Sequence, residues 1–229
     1  MTDRSRKSTR YEVKFVSTRM RLHELAHWIR VHPAGFRSPY PPRKVNNVYF
    51  DGHQLQAYHE NLVGNSARSK VRLRWYGDGF RPESAVIEVK RKRNMLGWKL
   101  SYATGAVDLE ADSWLRIRRR LRADLSAEAR AWLDASPQPV LINRYDREYF
   151  VSWDQRVRVT LDAHQSVLDQ RFAGRPNLTF PANLPNTIVV EFKFAPEDRA
   201  EGMWAIQGIP IRASRNSKYV IGVQSLLPS

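Results

Sequence analysis

The chain has 229 residues, 42% of them hydrophobic and 27% charged, which is enough to bury one sizeable core. It contains no cysteine, which excludes a disulfide framework, a cysteine-ligated zinc or iron–sulfur site and a thiol nucleophile. Lysine and arginine number 38 against 23 acids, a formal charge of +15 that calls for an anionic partner: nucleic acid, phospholipid head groups or phosphate-rich small molecules.

Residues 1–9 are polar and charged and read as a disordered tail, followed by a single domain over 10–229. No apolar run approaches the roughly 18 residues a membrane helix needs, so neither a signal peptide nor a membrane span is expected, and the expected location is the cytoplasm. From Arg10 to Val16 charged and apolar residues alternate, the period of a strand with one charged face. Leu22, Leu25, Ala26 and Ile29 then mark one face of a helix that ends before Pro33. Ser38 to Pro42 is a loop, and Val45 to Asp51 a strand. Lys70 to Tyr76 alternates again, with Lys70, Arg72 and Arg74 on one side, and Gly77-Asp78-Gly79 reads as a hairpin turn into a strand carrying Glu88 and Lys90. A long helix is predicted from about Asp112 to Ala135, with apolar positions Trp114, Leu121, Leu125 and Trp132. Strands follow at Val140 to Val151, Arg156 to Asp162 and Ile188 to Phe194, and Gly174 to Pro185, with three prolines, is a loop. Both helices are expected to cover a sheet.

The inferred charged faces collect Lys14, Arg72, Arg74, Lys90, Arg158 and Lys193 beside only Glu12, Glu88, Asp162 and Glu191. Two arrangements fit the alternation: an open sheet with a solvated polar face, or a closed barrel with a charged lumen. Two further runs compete for a functional role. His23-Glu24-Leu25-Ala26-His27 has the spacing of a zinc metalloprotease helix. Both histidines, however, fall on the helix flank near Arg19 and Arg30, where cations discourage zinc, so a solvated flank is expected. The arginines at 116, 118, 119, 120 and 122 read as a solvated helix face, with a polyanion-recruiting surface as the alternative.

The order and spacing of Glu12-x-Lys14, Arg72-x-Arg74 with Trp75-Tyr76-Gly77, Glu88-x-Lys90, Arg158-x-Thr160-x-Asp162, Glu191-x-Lys193 and Ser217-Lys218-Tyr219 resemble the triphosphate tunnel metalloenzyme superfamily. Within it the match is to the vacuolar transporter chaperone (VTC) domain, the polyphosphate polymerase branch, from about Arg10 to Val223. The resemblance implies an α+β fold: an eight-stranded antiparallel β-barrel tunnel with helices packed outside. It implies that Lys14, Arg72, Arg74, Lys90, Lys99, Arg147, Arg158 and Lys218 line the tunnel, grip phosphates and carry catalysis, with Lys193 a further phosphate-binding residue. It assigns Glu191 as the ligand of a divalent metal, Mn2+ or Mg2+, with Glu12 and Glu88 as helpers.

Two departures matter. Superfamily phosphatases and cyclases begin with Glu-x-Glu-x-Lys, whereas Arg10 stands in the first place here, which removes one metal ligand and favours the polymerase branch. The regulatory domain and membrane helices of eukaryotic polymerase chains have no counterpart in this sequence, which leaves any membrane partner to a separate chain. The implied activity is transfer of the γ-phosphate of ATP to a growing inorganic polyphosphate chain. The alternatives are hydrolysis of inorganic triphosphate or a nucleoside triphosphate by the same site, and a non-catalytic polyphosphate-binding module. No nucleic-acid-binding motif accompanies the positive charge. The chemistry suits the residues: phosphoryl transfer needs positioning and fixed positive charge more than a protein nucleophile.

Overall fold

In the computed structural model, which describes residues 10–93 and 96–227, eight strands form one antiparallel sheet. The expected tail, 1–9, lies outside the described residues. The strands are β1 (Tyr11–Thr18), β2 (Arg43–Asp51), β3 (Ala67–Tyr76), β4 (Ala85–Arg93), β5 (Leu96–Thr104), β6 (Gln138–Val151), β7 (Val157–Asp169) and β8 (Thr187–Phe194). Their spatial order is β1-β8-β7-β6-β2-β3-β4-β5, and the sheet curls so that its charged face turns inward. Every strand expected from alternation forms, within a few residues at each end except β7, which runs seven residues past the expected Asp162 to Asp169. β5 is an addition: its outward residues Leu100 and Tyr102 alternate too weakly with small and polar neighbours to announce it.

The hydrogen-bonded ladder ends at β1 on one side and β5 on the other. The edge of β1 is continued by the chain near the C-terminus: Ala213 bridges Phe15, and the Ser214 amide donates to the Lys14 carbonyl at 2.8 Å. An ion pair of 2.7 Å between Lys90 on β4 and Glu12 on β1 ties the two sides of the curl together.

Mostly outward residues of the strands build the cores under the helices α1 (Leu22–Val31), α2 (Gln56–Leu62), α3 (Trp114–Asp124), α4 (Ala127–Asp134), α5 (Arg199–Ile206) and α6 (Lys218–Gln224). Val48, Leu73 and Ile87 meet Ile117 and Leu121 of α3 and Ala129 and Leu133 of α4. Phe15, Val159 and Phe192 meet Leu25 and Ile29 of α1 and Ala205 of α5. On the opposite, inner face of the sheet, Tyr49, Leu141 and Val167 meet Tyr58 of α2 and Tyr219 and Val223 of α6. Full burial of each such aliphatic side chain contributes about 1.5–3 kcal/mol.

The long helix expected over 112–135 is two helices. Leu125 is extended (φ −89°, ψ 147°), and the Ser126 hydroxyl accepts the Ala129 amide as the N-cap of α4. The break keeps Ile117, Leu121, Leu125, Ala129 and Leu133 all buried, and the serine satisfies an amide that an unbroken helix would have bonded internally. The glycine turn after β3 does lead into β4, but through eight residues rather than a tight hairpin. Gly77 takes φ 104°, open to glycine without strain, and the Trp75 indole donates to the Gly79 carbonyl at 2.9 Å.

Candidate functional site

Strand period alone decides what enters the lumen. On β3, Val71, Leu73 and Trp75 are almost wholly buried against α3 and α4, which forces Lys70, Arg72 and Arg74 inward. The same alternation turns Glu12 and Lys14 of β1, Glu88 and Lys90 of β4, Thr160 and Asp162 of β7, and Glu191 and Lys193 of β8 to one concave face. The charged face is therefore a lumen, and its side chains are largely out of water: Arg72, Arg74, Arg147, Lys193 and Lys218 expose between 11% and 16% of their side chains.

Four carboxylates organise these cations. Glu88 takes Arg72 at 2.6 Å, Lys99 at 2.7 Å and Arg74 at 3.4 Å. Burial alone would raise its pKa, but Arg72, Arg74 and Lys99 hold it well below the usual carboxylate range. Asp162, fully buried, receives two hydrogen bonds from Arg147 (2.6 and 2.8 Å) and one from Lys218 (2.6 Å). Those partners outweigh desolvation and keep it ionised. Glu191 meets Lys193 at 2.7 Å and Lys14 at 3.6 Å, and both cations depress its pKa against the effect of burial. Glu12 meets Lys90 at 2.7 Å and Arg10 at 3.4 Å, so the arginine that stands where relatives carry an acid folds onto the next glutamate.

Aromatic and amide groups fix the guanidinium planes. Arg72 donates to the Tyr49 hydroxyl at 3.1 Å, and Arg74 to the side-chain amide oxygen (Oδ1) of Asn47 at 2.9 Å. Arg147 and Lys218 lie over the ring of Tyr145. Desolvation pushes the Lys193 ammonium down to about 8 despite Glu191 beside it. Lys218 enters from the first turn of α6, which is held by two devices: the Ser217 hydroxyl caps the helix, and the buried Tyr219 hydroxyl donates to Asp51 at 2.5 Å. Asp51 also accepts the amides of Gly52, Ala57 and Tyr58, so one carboxylate anchors both α2 and α6 to the end of β2.

Of the expected residues, Lys14, Arg72, Arg74, Arg147, Lys193 and Lys218 lie deep in the lumen. Lys90 and Lys99 are nearly half exposed, at 45% and 44% of the side chain, and so occupy its rim. Arg158 is exposed and lines a recess with Arg10, Arg156 and Lys193 at the end where β7 begins. Lumen residues outside the expected set are Lys70, Asn47 and Tyr49. Lys70 carries the same period-two signal as Arg72 and Arg74, whereas Asn47 and Tyr49 sit on a strand without clean alternation, where no such signal exists.

The zinc-like run on α1 behaves as its flanking cations suggest: His23, Glu24 and His27 are exposed, Leu25 and Ala26 are buried, and Glu24 is paired with Arg21 at 2.5 Å. The arginines of α3 divide their work. Arg118 donates to the Leu133 and Ser136 carbonyls at the end of α4, Arg116 and Arg120 pair with Asp112, and Arg122 pairs with Asp134.

The family model described as "VTC domain" matches residues 9–227 of the 229. Among solved structures, a Bacillus halodurans protein provisionally described as an adenylate cyclase aligns with TM-score 0.52 at 13% identity, over 91% of this chain and 94% of its own. A Vibrio parahaemolyticus protein with the same provisional description aligns at 0.48 and 13%, over 94% and 98%. A Pyrococcus horikoshii protein whose title states no activity aligns at 0.46 and 12%, over 95% and 100%. Among curated proteins none matches the chain. The first likeness shows a shared fold.

Proposed function

The chain belongs to the VTC domain family, and from that membership and its inward-facing cations we propose that it is a polyphosphate polymerase, moving the γ-phosphoryl group of ATP onto the end of a polyphosphate chain. The observation that carries this reading is the lumen, where seven buried cations and two more at the rim face four carboxylates. Charge so concentrated in a poorly solvated space is offset most fully by a linear polyanion. The Thr160 hydroxyl, buried in the lumen with no partner among the described residues, is a further donor for a phosphoryl oxygen.

Arg72, Arg74 and Arg147 present planar forks, already oriented by Glu88, Asn47 and Asp162, that pair bidentately with phosphate oxygens. Lys14, Lys193 and Lys218 act as compact charges that a chain can slide past. Together they bind the triphosphate, align its γ-phosphoryl group with the acceptor's terminal oxygen, and neutralise charge on the equatorial oxygens as the β–γ bridge breaks and ADP leaves.

Among the described residues no three side chains of metal-ligating type come together. Glu12 and Glu191 are diagonal neighbours on adjacent strands and form a pair of carboxylates. Two carboxylates completed by substrate phosphates are a donor set typical of Mg2+ or Mn2+, so the residues fit a metal that arrives with the nucleotide. Glu191 with Glu12 would hold it. Glu88 meets three cations, Arg72, Arg74 and Lys99, against two each for Glu191 and Glu12, and in this reading it serves the cations. The ion, when bound, supplies positive charge between the two reacting phosphates.

The test is incubation of purified protein with ATP and Mn2+, with products resolved by length. Long chains are expected. Free phosphate alone would identify a triphosphatase, and undiminished ATP with retained tripolyphosphate binding a binding module.

A further inference from the structure

Lys70 stands apart from the other buried cations of the lumen. Lys14, Arg72, Arg74, Arg147, Lys193 and Lys218 each have a carboxylate within 4.0 Å. Among the described residues Lys70 has none, and its Nζ donates only to the Ser217 hydroxyl oxygen, at 2.8 Å. An ammonium carries three donors, so two are left over. The charged groups that act on it most strongly are cations: Lys90 of β4, Lys14 of β1, and Arg68 and Arg72 of β3. The acids nearest to these, Glu191, Glu88 and Glu12, are occupied by Lys14, Arg72 and Lys90 themselves.

Ser217 belongs to the segment that the lumen draws inward. The Asn216 carbonyl accepts from Lys14 at 3.1 Å, and Lys218 reaches Asp162 at 2.6 Å. Lys70 and Ser217 therefore bring β3 and the C-terminal segment together at a point with donors but no anion.

We infer that Lys70 and Ser217 form a further seat for a phosphoryl oxygen in the tunnel, and that filling this seat places a proton on Lys70. With the seat empty, a charge on Lys70 is opposed by burial and by four cations, and nothing nearby offsets it. Burial first, then Lys90, Lys14, Arg68 and Arg72, hold its pKa well below the ordinary lysine value. A phosphate oxygen at the seat reverses the balance, because it supplies the missing counter-charge and accepts the unused N–H groups. Binding then draws a proton from solvent onto the Lys70 nitrogen, and Ser217 Oγ fixes the direction in which the ammonium points.

This rests on the reading of the lumen as a phosphate tunnel, so the experiment separates the two. Inorganic tripolyphosphate, without metal, is titrated into the full chain by calorimetry near neutral pH in buffers of low and high protonation heat. Wild type should bind with a net proton uptake larger than that of a variant whose side chain at this position stays charged, seen as buffer-dependent heat. Lys70→Arg, which stays charged, should bind with that uptake diminished, and Lys70→Met should bind about ten- to a hundredfold more weakly, the scale of a hydrogen bond to a charged group. Equal uptake by wild type and Lys70→Arg, or unchanged affinity of Lys70→Met, would overturn the inference. A wild-type protein that binds no tripolyphosphate would instead sink the tunnel reading itself. Circular dichroism of both variants establishes that they fold.

Discussion

Glu191 lies between two lysines, Lys193 at 2.7 Å and Lys14 at 3.6 Å, and a carboxylate so placed can act as counter-charge or as metal ligand. The two roles respond differently to loss of the charge. As counter-charge alone, Glu191→Gln would leave catalysis within a few-fold, because the amide still accepts a hydrogen bond from Lys193. As metal ligand, it would keep or strengthen tripolyphosphate binding, since one negative charge leaves a cationic lumen, yet slow metal-dependent transfer about a hundredfold or more. We expect the second pattern. Activity near wild type at saturating Mn2+ would remove Glu191 from the metal site.

Between elements, the contact that tolerates least is α5 against β8. An added Cβ at Gly202 would lie 2.3 Å from Cγ of Phe194 and 2.4 Å from its Cδ1, and a ring held in the core cannot yield by that much. Gly202→Ala should therefore push α5 outward despite alanine's better helix propensity, with a loss of about 1–3 kcal/mol in urea unfolding. An unchanged or stabilised variant would mean that the helix lifts off β8 at little cost. Phe194 ends the strand that carries Glu191 and Lys193, so the packing of α5 also bears on the lumen. How far such elements are legible in the sequence depends on the kind of order involved. Strands with one charged and one apolar face show which residues share a side, which is why Lys14, Arg72 and Lys193 can be grouped on one face by counting, while that this face is a lumen comes from the family resemblance. Helix breaks do not. Leu125 and Ser126 continue an apolar period that fits one long helix, and the serine cap becomes decisive only because both halves must lie on the same sheet. The position of Lys218 is equally silent locally: its inward reach depends on Tyr219 bonding to Asp51, 168 residues away in sequence.

Taken as one object, the free protein is a shell closed around mutual repulsion, and its pH dependence should say so. Asp162 is the acid-side marker. Its folded pKa lies below the ordinary carboxylate value because Arg147 and Lys218 outweigh its burial. Its contribution is thus present above about pH 4 and lost as the pH falls through the folded value, and acid should unfold the protein from about pH 4 downward. Lys70 is the alkaline-side marker, with the opposite chemistry and the same direction of shift. A lysine whose folded pKa is lowered costs nothing above its unfolded value near 10.4, and opposes folding increasingly as the pH falls from there toward the folded value, because the unfolded chain takes up a proton that the buried amine does not. The free protein should therefore become more stable, not less, from about pH 7 to 9. Lys14, whose pKa Glu191 and Glu12 raise against the effect of burial, sets the upper limit, because its contribution is lost only above about pH 10. Tripolyphosphate removes the repulsion at neutral pH. At a concentration a hundredfold over the neutral-pH Kd it should stabilise the fold by about 2.7 kcal/mol, a rise in Tm of about 5–10 °C for a chain of this size, and at that fixed concentration the gain should shrink toward pH 9 as Lys193, whose pKa is about 8, loses its charge. Thermal melts with and without tripolyphosphate across that window measure both slopes. A free protein whose Tm falls from pH 7 to 9 while the ligand's effect stays constant would show that the lumen's charges are balanced without a guest.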